Sequence, residues 1–480
     1  MAGTYSRTTG VLVIGGGPGG YVAAIRLGQL GKSVLLVEKD QLGGECLNRG
    51  CIPSKALIHL ATLLDAIRTE GPEVGLRTTG EVGLDLGVAQ RWKESVVAKE
   101  RQGVATLLKG AGVSVLPGTV RFTGPRSAEL AAPDGGRERI DFDQAIIATG
   151  AVQVSLRGFE PDGQKVVTAY DVLNWMSVPA TLLVLGGGVS GCELGEFAAA
   201  AGAHVTIIEL MPQLLPGMDA DLARELTRRL EARGIKIFTG AKAVALDRSG
   251  DGVGLTVEKE GARTELTADQ LFVTVGKRPS TEDLGLEDAG IQRDAKTGFI
   301  PVNDRMATNL AHIYAVGDCC RPPMLAHKAY REGVVAAETI AGLPTRFQFQ
   351  AMPSVVFTVP ELATVGLTTT EGQAAGYSAR DVRFPYAALG RAHASHATEG
   401  WVKLVGDDKS GAILGFQGAG AGVGELVGEV ALAIEMGATV RDLALTIHPH
   451  PTFSELLQEV ALLWLGEPMH VARRSSTRPS

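Results

Sequence analysis

Cys46, Cys51 and Lys55 are the residues of this chain best suited to redox chemistry. They lie in Leu42-Gly43-Gly44-Glu45-Cys46-Leu47-Asn48-Arg49-Gly50-Cys51-Ile52-Pro53-Ser54-Lys55, with four residues between the cysteines. Pro53 stands where a helix tolerates proline, in its first turn, so a helix is expected to run on through Ala56–Ala61. Cys51 would then sit near that helix's N-terminus, where unpaired N–H groups favour a thiolate. A kink at the helix start would let the pair close as a disulfide, if the Cα atoms come within about 5.5 Å. Two unrelated buried thiols could have the same spacing, and the pair alone leaves both readings open.

The rest of the chain has to position these groups. Its 480 residues leave room for about three domains, and 45% hydrophobic residues can fill several cores. A formal charge of −7 argues against a broad nucleic-acid surface. The longest apolar runs fall short of a membrane span. The lead-in to Gly10 is polar and the apolar run after it is broken by glycines, so no secretory signal is expected and a cytoplasmic location is. Five cysteines do not make a disulfide scaffold in a chain this long. No metal site is expected.

Val11-Leu12-Val13-Ile14 reads as a buried strand running straight into Gly15-x-Gly17-x-x-Gly20. A helix from Tyr21 to Leu30 follows, then a strand Ser33–Val37 that ends in Glu38. This is the βαβ dinucleotide fingerprint in full context: the glycines admit a pyrophosphate to a helix N-terminus, and the acid accepts from ribose hydroxyls. The pattern recurs. Strand Thr181–Leu185 leads into Gly186-x-Gly188-x-x-Gly191, a helix over Glu193–Ala201, and a strand Val205–Ile208 ending in Glu209. The acid follows the first glycine at the same offset in both copies, so two nucleotides in two doubly wound domains are expected. Glu209 would repel a 2′-phosphate, and no Lys or Arg occurs between it and Arg224. NAD is the expected ligand there.

Strands ending in small residues close each unit: Asp143 to Gly150 for the first, Leu271 to Gly276 for the second. Ile313 to Asp318 is a third such strand, expected to rejoin the first domain. From about Arg346 the pattern changes to strands near Val355–Thr358, Val402–Val405 and Ile413–Phe416, with helices over Gly424–Met436 and Ser454–Leu465. The expected architecture is α/β, with two doubly wound dinucleotide-binding domains and a C-terminal α+β domain suited to dimerisation. Its boundaries are 1–150 and 277–345 for a discontinuous first domain, 151–276 for the second, 346–472 for the interface domain, and 473–480 for a disordered tail.

Taken together, these motifs make the chain resemble, over essentially its whole length, the dihydrolipoamide dehydrogenases among the flavin-dependent pyridine-nucleotide disulfide oxidoreductases. The match rests on the Gly15 loop, the Cys46–Lys55 segment, and Gly186 to Glu193. It rests also on Tyr314-Ala-Val-Gly-Asp318, Met324-Leu325-Ala326-His327-Lys328, and His448-Pro449-His450-Pro451-Thr452-Phe453-Ser454-Glu455. The resemblance implies FAD on the first domain, NAD on the second, and a redox-active Cys46–Cys51 disulfide against the flavin. Glu38 would hold the FAD adenosine ribose, Asp318 the ribityl chain, and Met324 to His327 would pass the isoalloxazine. Lys55, paired with Glu193, would stand by flavin N5, where positive charge stabilises reduced flavin. Gly118, Thr149 and Gly150 would be further cofactor contacts, with Gly186, Gly188, Gly191, Glu193, Glu209 and Gly276 on the NAD side. Cys192, Cys319 and Cys320 match no catalytic position and are expected in the core.

Two residues depart from the family pattern. Glu45 stands where the family usually has Thr, and Arg49 where it usually has an apolar residue; the two could pair with each other. His450 and Glu455 have a structural reading as well, since Thr452-x-x-Glu455 spells a helix capping box. Beside the cysteine signature the resemblance implies an acid–His dyad in which Glu455 orients the imidazole.

The implied reaction is oxidation of dihydrolipoamide by NAD, with His450 as base and Cys46 as the sulfur attacked. A homodimer with shared sites is implied, with a lipoyl domain of a 2-oxo-acid dehydrogenase complex or a glycine-cleavage carrier as donor; no nucleic-acid or membrane partner is expected. Glutathione reductase is the nearest rival but favours NADPH, which Glu209 opposes. Mercuric reductase would add a C-terminal cysteine pair, and none occurs after Cys320. A non-catalytic flavoprotein would dispense with Cys46, Cys51, Lys55 or His450, and all four are present.

Overall fold

Val11–Ile14 has no polar side chain to offer solvent and becomes the buried C-terminal end of a strand, β1 (Tyr5–Ile14). The computed structural model describes residues 5–472, and the tail expected to be disordered lies outside the described residues. β1 begins earlier than the apolar run: the polar stretch Ser6–Thr9 pairs in parallel with Arg139–Phe142. Helix α1 (Pro18–Gln29) and strand β2 (Val34–Glu38) complete the first βαβ unit, with β2 parallel to β1. The sheet runs in the order Ser114–Pro117, β2, β1, Arg137–Ile147, Ser127–Ala131, Thr119–Gly124. Ile313–Ala315 pairs in parallel with Ala145–Ile147, so a late segment of the chain joins this first sheet.

After β2 come a short helix α2 (Gly44–Arg49), a break at Gly50, and the long helices α3 (Cys51–Glu73) and α4 (Leu86–Gly110). The sequence reading has no counterpart for α4. Its signals are an N-cap, Asp85, whose side chain accepts from Val88 N at 3.0 Å, and a buried stripe of Leu86, Ala89, Lys93, Val97, Val104 and Leu108. Among the described residues the stretch Gly44–Glu73 has the length and apolarity of a membrane-crossing helix. Part of that apolarity faces the interior, Leu57 and Ala61 packing in one core with Leu194 and Phe197.

The chain passes to the second unit and back through a two-stranded antiparallel ribbon, Ala151–Gln153 with Lys277–Pro279. The second unit is a parallel sheet ordered Lys236–Thr239, His204–Glu209, Thr181–Leu185, Gln270–Val273, Val166–Val167. Short helix α5 (Ala169–Val172) follows its edge strand, and α6 (Val189–Ala200) follows its glycine loop. The C-terminal unit is an antiparallel sheet ordered Ser354–Val356, Leu362–Gly366, Ile413–Gly420, Gly400–Asp407, Ala379–Pro385. Helices Val423–Glu435 and Glu455–Trp464 cover it, burying Phe384, Leu404, Phe416, Val430 and Val460 in one core.

Candidate active site

The two glycine loops divide their labour in the same way. Gly15 and Gly186 have φ of +101° and +113°, and a Cβ on either would lie 2.4 Å or 2.3 Å from a facing carbonyl oxygen. The third glycines are packing residues, since a Cβ on Gly20 or Gly191 would come within 1.9 Å or 2.0 Å of the first glycine's oxygen. The middle glycines are different. A Cβ on Gly188 would meet nothing within 4 Å, and one on Gly17 only Gly44 Cα at 3.8 Å. Their backbones are extended, so neither conformation nor internal packing calls for glycine there. Space left open at a helix N-terminus is what a bound pyrophosphate requires. Gly17 and Gly188 are the N-caps of α1 and α6, and neither cap supplies a side-chain acceptor. Both helices start earlier than the sequence reading has it, at Pro18 and Val189, because their first turn contains the third glycine.

The strand-end acids are fixed by the same loops. Glu38 accepts from Gly16 N at 2.6 Å and Asp40 N at 2.8 Å; Glu209 accepts from Gly187 N at 2.6 Å and Met211 N at 2.7 Å. Each carboxylate oxygen keeps a lone pair for a ribose hydroxyl. Burial raises the Glu38 carboxyl above its ordinary range, against the Gly16 N–H bond and the charges of Lys39 and Arg49. Gly118 N donates to Glu38 O at 2.9 Å, Thr149 Oγ1 to Ser280 O at 2.6 Å, and Ser280 N to Gly150 O at 2.9 Å. Gly276 O accepts from Val154 N at 3.0 Å, within the crossover. The residues therefore fit one dinucleotide per unit.

Against the first loop lies the cysteine pair. A Cβ on Gly44 would stand 2.6 Å from Gly17 Cα, so α2 abuts the loop directly. Cys46 on α2 and Cys51 at the first position of α3 are joined as a disulfide, their Cα atoms 4.7 Å apart across the break at Gly50. Asn48 braces the turn with bonds to Leu42 O and Gly44 O, both 2.9 Å. One turn into α3, Lys55 Nζ donates to Glu193 Oε2 at 2.7 Å and lies 4.7 Å from the centre of the Phe357 ring. Glu193 is buried, and its other oxygen accepts from Phe357 N at 2.9 Å. Glu45 and Arg49, which could have paired with each other, do not. Glu45 meets Lys277 at 2.8 Å, while Arg49 pairs with Asp40 and lies 5.2 Å from the Tyr170 ring centre.

Asp318 occupies a short turn after strand Ile313–Ala315. Burial raises its carboxyl, Lys277 and Lys328 oppose this, and Glu45 and Glu332 add to it. The turn is tied down by Gly317 N donating to buried Glu332 at 2.7 Å. Met324 and Leu325 lead into helix Ala326–Ile340, whose second residue, His327, bonds Pro353 O at 2.9 Å. Cys192, Cys319 and Cys320 are free and buried, as expected.

The two candidate histidines separate clearly. His448 has only 4% of its side chain exposed and is paired with Glu429 at 3.0 Å. His450 has 76% exposed, and its Nδ1 meets Glu455 Oε1 at 2.8 Å. Burial works against charge on Glu455, yet the bonds from His450 and Thr452 N leave its carboxyl below the ordinary range. The capping box that Thr452-x-x-Glu455 spells, the alternative to the dyad, is only half formed. Glu455 accepts from Thr452 N at 2.8 Å, but the Thr452 hydroxyl turns to Pro449 O and Ser454 Oγ, and Ser454 is the N-cap. Among the described residues His450 makes no hydrogen bond to the cysteine segment of its own chain.

Residues 9–333 match the family described as pyridine nucleotide-disulphide oxidoreductase, and residues 352–461 match that family's dimerisation domain. A dihydrolipoyl dehydrogenase of Thermus scotoductus is 46% identical across 98% of this chain and 100% of its own. Those of Haloferax volcanii and Bacillus subtilis are 43% and 40% identical, with 99% and 98% of this chain covered and 100% of theirs. Among solved structures, LpdA from Mycobacterium tuberculosis superposes with a TM-score of 0.88 at 28% identity, covering 95% of this chain and 99% of its own. The HOCl-induced flavoprotein disulfide reductase RclA from Escherichia coli gives 0.84 at 27%, with the same coverage.

Proposed function

The chain belongs to the pyridine nucleotide-disulphide oxidoreductase family, and on that premise we propose that it oxidises protein-bound dihydrolipoamide to lipoamide with NAD as the final acceptor. One observation carries the reading: a closed Cys46–Cys51 disulfide set directly against the first glycine loop, with the Lys55–Glu193 pair one helical turn away. FAD on the first unit, when bound, supplies the two-electron acceptor between dithiol and nicotinamide. Gly15, Gly17, Gly20, Glu38, Gly118, Thr149, Gly150, Asp318 and the Met324–His327 segment would hold it; Gly186, Gly188, Gly191, Glu209 and Gly276 would hold NAD.

The chain's own residues perform the sulfur chemistry. His450 Nε2 takes the proton of one substrate thiol, and Glu455 steadies the resulting imidazolium. The substrate thiolate attacks Cys46 Sγ; the Cys46–Cys51 bond breaks, and Cys51 leaves as a thiolate favoured by the α3 N-terminus. The second substrate thiol displaces Cys46 from the mixed disulfide, closing lipoamide. Cys46 leaves as a thiol, the proton passing through His450. Lys55, held by Glu193 and Phe357, keeps positive charge beside the flavin position.

His450 lies in the C-terminal unit with its ring largely in solvent, so the reading assigns it to the site of a second copy. The exposed apolar side chains Leu432, Met436, Leu445, Ile447 and Met469 on that unit accord with an interface, Ile447 being 92% exposed. The donor is a lipoyl domain of a 2-oxo-acid dehydrogenase complex or a glycine-cleavage carrier. Three free thiols accord with the reducing cytoplasm. The test is NADH formation from dihydrolipoamide and, in parallel, glutathione reduction by NADPH. Turnover of glutathione without turnover of dihydrolipoamide refutes the proposal.

A further inference from the structure

Helix α6 carries two buried carboxylates one turn apart, Glu193 and Glu196, and only the first has a part in the reaction described above. Glu196 Oε2 accepts from Val359 N at 3.0 Å, two residues after the Phe357 N–H that Glu193 accepts. Its Oε1 pairs with Arg233, and Arg233 reaches on to Asp65 of α3 at 2.7 Å. Asp65 lies about 15 Å along α3 from Lys55, at 1.5 Å per residue. Two carboxylates of one helix thus tie α3 at two points and hold alternate N–H groups of the C-terminal segment 357–359. That segment presents the Phe357 ring under the Lys55 ammonium.

We propose that Glu196 is a positioning residue for Lys55: it fixes the 357–359 segment and the body of α3, and through them the place of the ammonium. The inference rests on the reading of Lys55 as the flavin-facing charge. A role in packing alone would be met by an apolar side chain, without cost to a buried charge. Glu196 instead joins groups from all three units of the fold, and a pocket the size of one water lies beside it, lined by Asp65, Glu193 and Arg233.

Burial pushes the Glu196 carboxyl up to about 7, with Arg233 and the Val359 N–H opposing and Asp65 adding to the rise. Charged groups face it from α3 (Asp65, and Lys55 beyond Glu193), from its own helix (Glu193), and from the end of the following helix (Arg233). Glu361, further along the C-terminal segment, turns to Gly424 N at 3.1 Å. The hold on Arg233 is therefore at full strength above neutrality and weakens below it.

The test compares wild-type holoenzyme with Glu196→Gln and Glu196→Ala in the two-electron-reduced state. Two readouts are taken across pH: the long-wavelength thiolate-to-flavin band, and amide exchange of the 354–361 segment by mass spectrometry. The Gln variant keeps an acceptor for Val359 N; it should retain the band and lose the ionisation near neutrality. The Ala variant should show roughly ten-fold faster exchange in 354–361, as for one lost buried hydrogen bond, together with a weakened band. Faster exchange with an unchanged band, or no change in either readout, overturns the proposal. A wild-type enzyme that forms no such band refutes instead the proposed function on which it rests.

Discussion

Glu45 and Arg49 stand one turn apart on the same face of α2, yet each reaches past the other to a different partner. Glu45 bonds Lys277 Nζ at 2.8 Å, at the strand by which the chain leaves the second unit. Arg49 pairs with Asp40 and lies against the ring of Tyr170 on α5. The two residues that depart from the family pattern thereby tether the cysteine helix, Glu45 to the crossover ribbon and Arg49 to the second unit. Glu45 adjoins Cys46 in sequence, so Lys277 offsets a negative charge beside the sulfur proposed above as the one attacked by substrate.

Lys277→Met should leave Glu45 uncompensated and slow alkylation of the reduced Cys46 thiol at fixed pH by about two-fold, a modest effect because the pair is over a third exposed. Alkylation rates of the reduced enzymes at one pH measure this. Adding Glu45→Gln to Lys277→Met should restore the rate; a rate unmoved by either change contradicts the pairing's role.

Cys51 opens α3 and Cys46 lies on the preceding helix, so their reduced forms should differ. Cys46→Ser should keep a long-wavelength thiolate–flavin band and lose lipoamide turnover, whereas Cys51→Ser should lose both. A band that survives in Cys51→Ser and vanishes in Cys46→Ser reverses the assignment.

Glu209 is held by Gly187 N and Met211 N with no cation nearby in sequence, which predicts a strong preference for NAD over NADP. Glu209→Ala combined with Leu210→Arg should shift the efficiency ratio towards NADP by roughly ten-fold or more, by removing repulsion and adding a phosphate partner. Equal use of both nucleotides by the wild type would refute the prediction.

Cys46→Ser and His450→Ala chains are each expected to be inactive. Exchanged into a heterodimer, they should regain about half of wild-type activity per dimer, because one of two shared sites inherits neither lesion. Verified exchange without recovery would return His450 to its own chain.

The raised Glu196 carboxyl has a consequence for stability. Its protonated form is favoured on folding, so its contribution is full at low pH and is lost as pH rises through about 7. Glutamine does not titrate. Relative to wild type, Glu196→Gln should gain stability between about pH 5 and pH 8, by up to ~3 kcal/mol. Urea midpoints of the two proteins at both pH values measure it; a constant difference would contradict the burial of a titrating carboxyl.

What could be read in advance follows from how local each cause is. The glycine loops were legible because the first and third glycines answer to steric demands inside a few residues, and the middle one to the ligand. The dithiol turn was legible for the same reason. Helix α4 was missed because its buried stripe mixes Lys93 and Gln90 with aliphatic residues, and only Asp85 marks its start. The Thr452 box is half formed because the hydroxyl finds Pro449 O close to hand, a contact that its spacing does not foretell. The partners of Glu45, Arg49 and Glu196 come from distant segments, and no spacing along the chain foretells them.

The pairing of Ile313–Ala315 with Ala145–Ile147 also sets an order of events during synthesis. The first sheet lacks this strand until the whole of the second unit has left the ribosome. The second unit, bounded by its ribbon, has all of its own strands by Pro279 and can fold while the first still waits. A nascent chain halted between these points would carry a finished nucleotide-binding unit upon an unfinished one, with the turn that bears Asp318 still unmade.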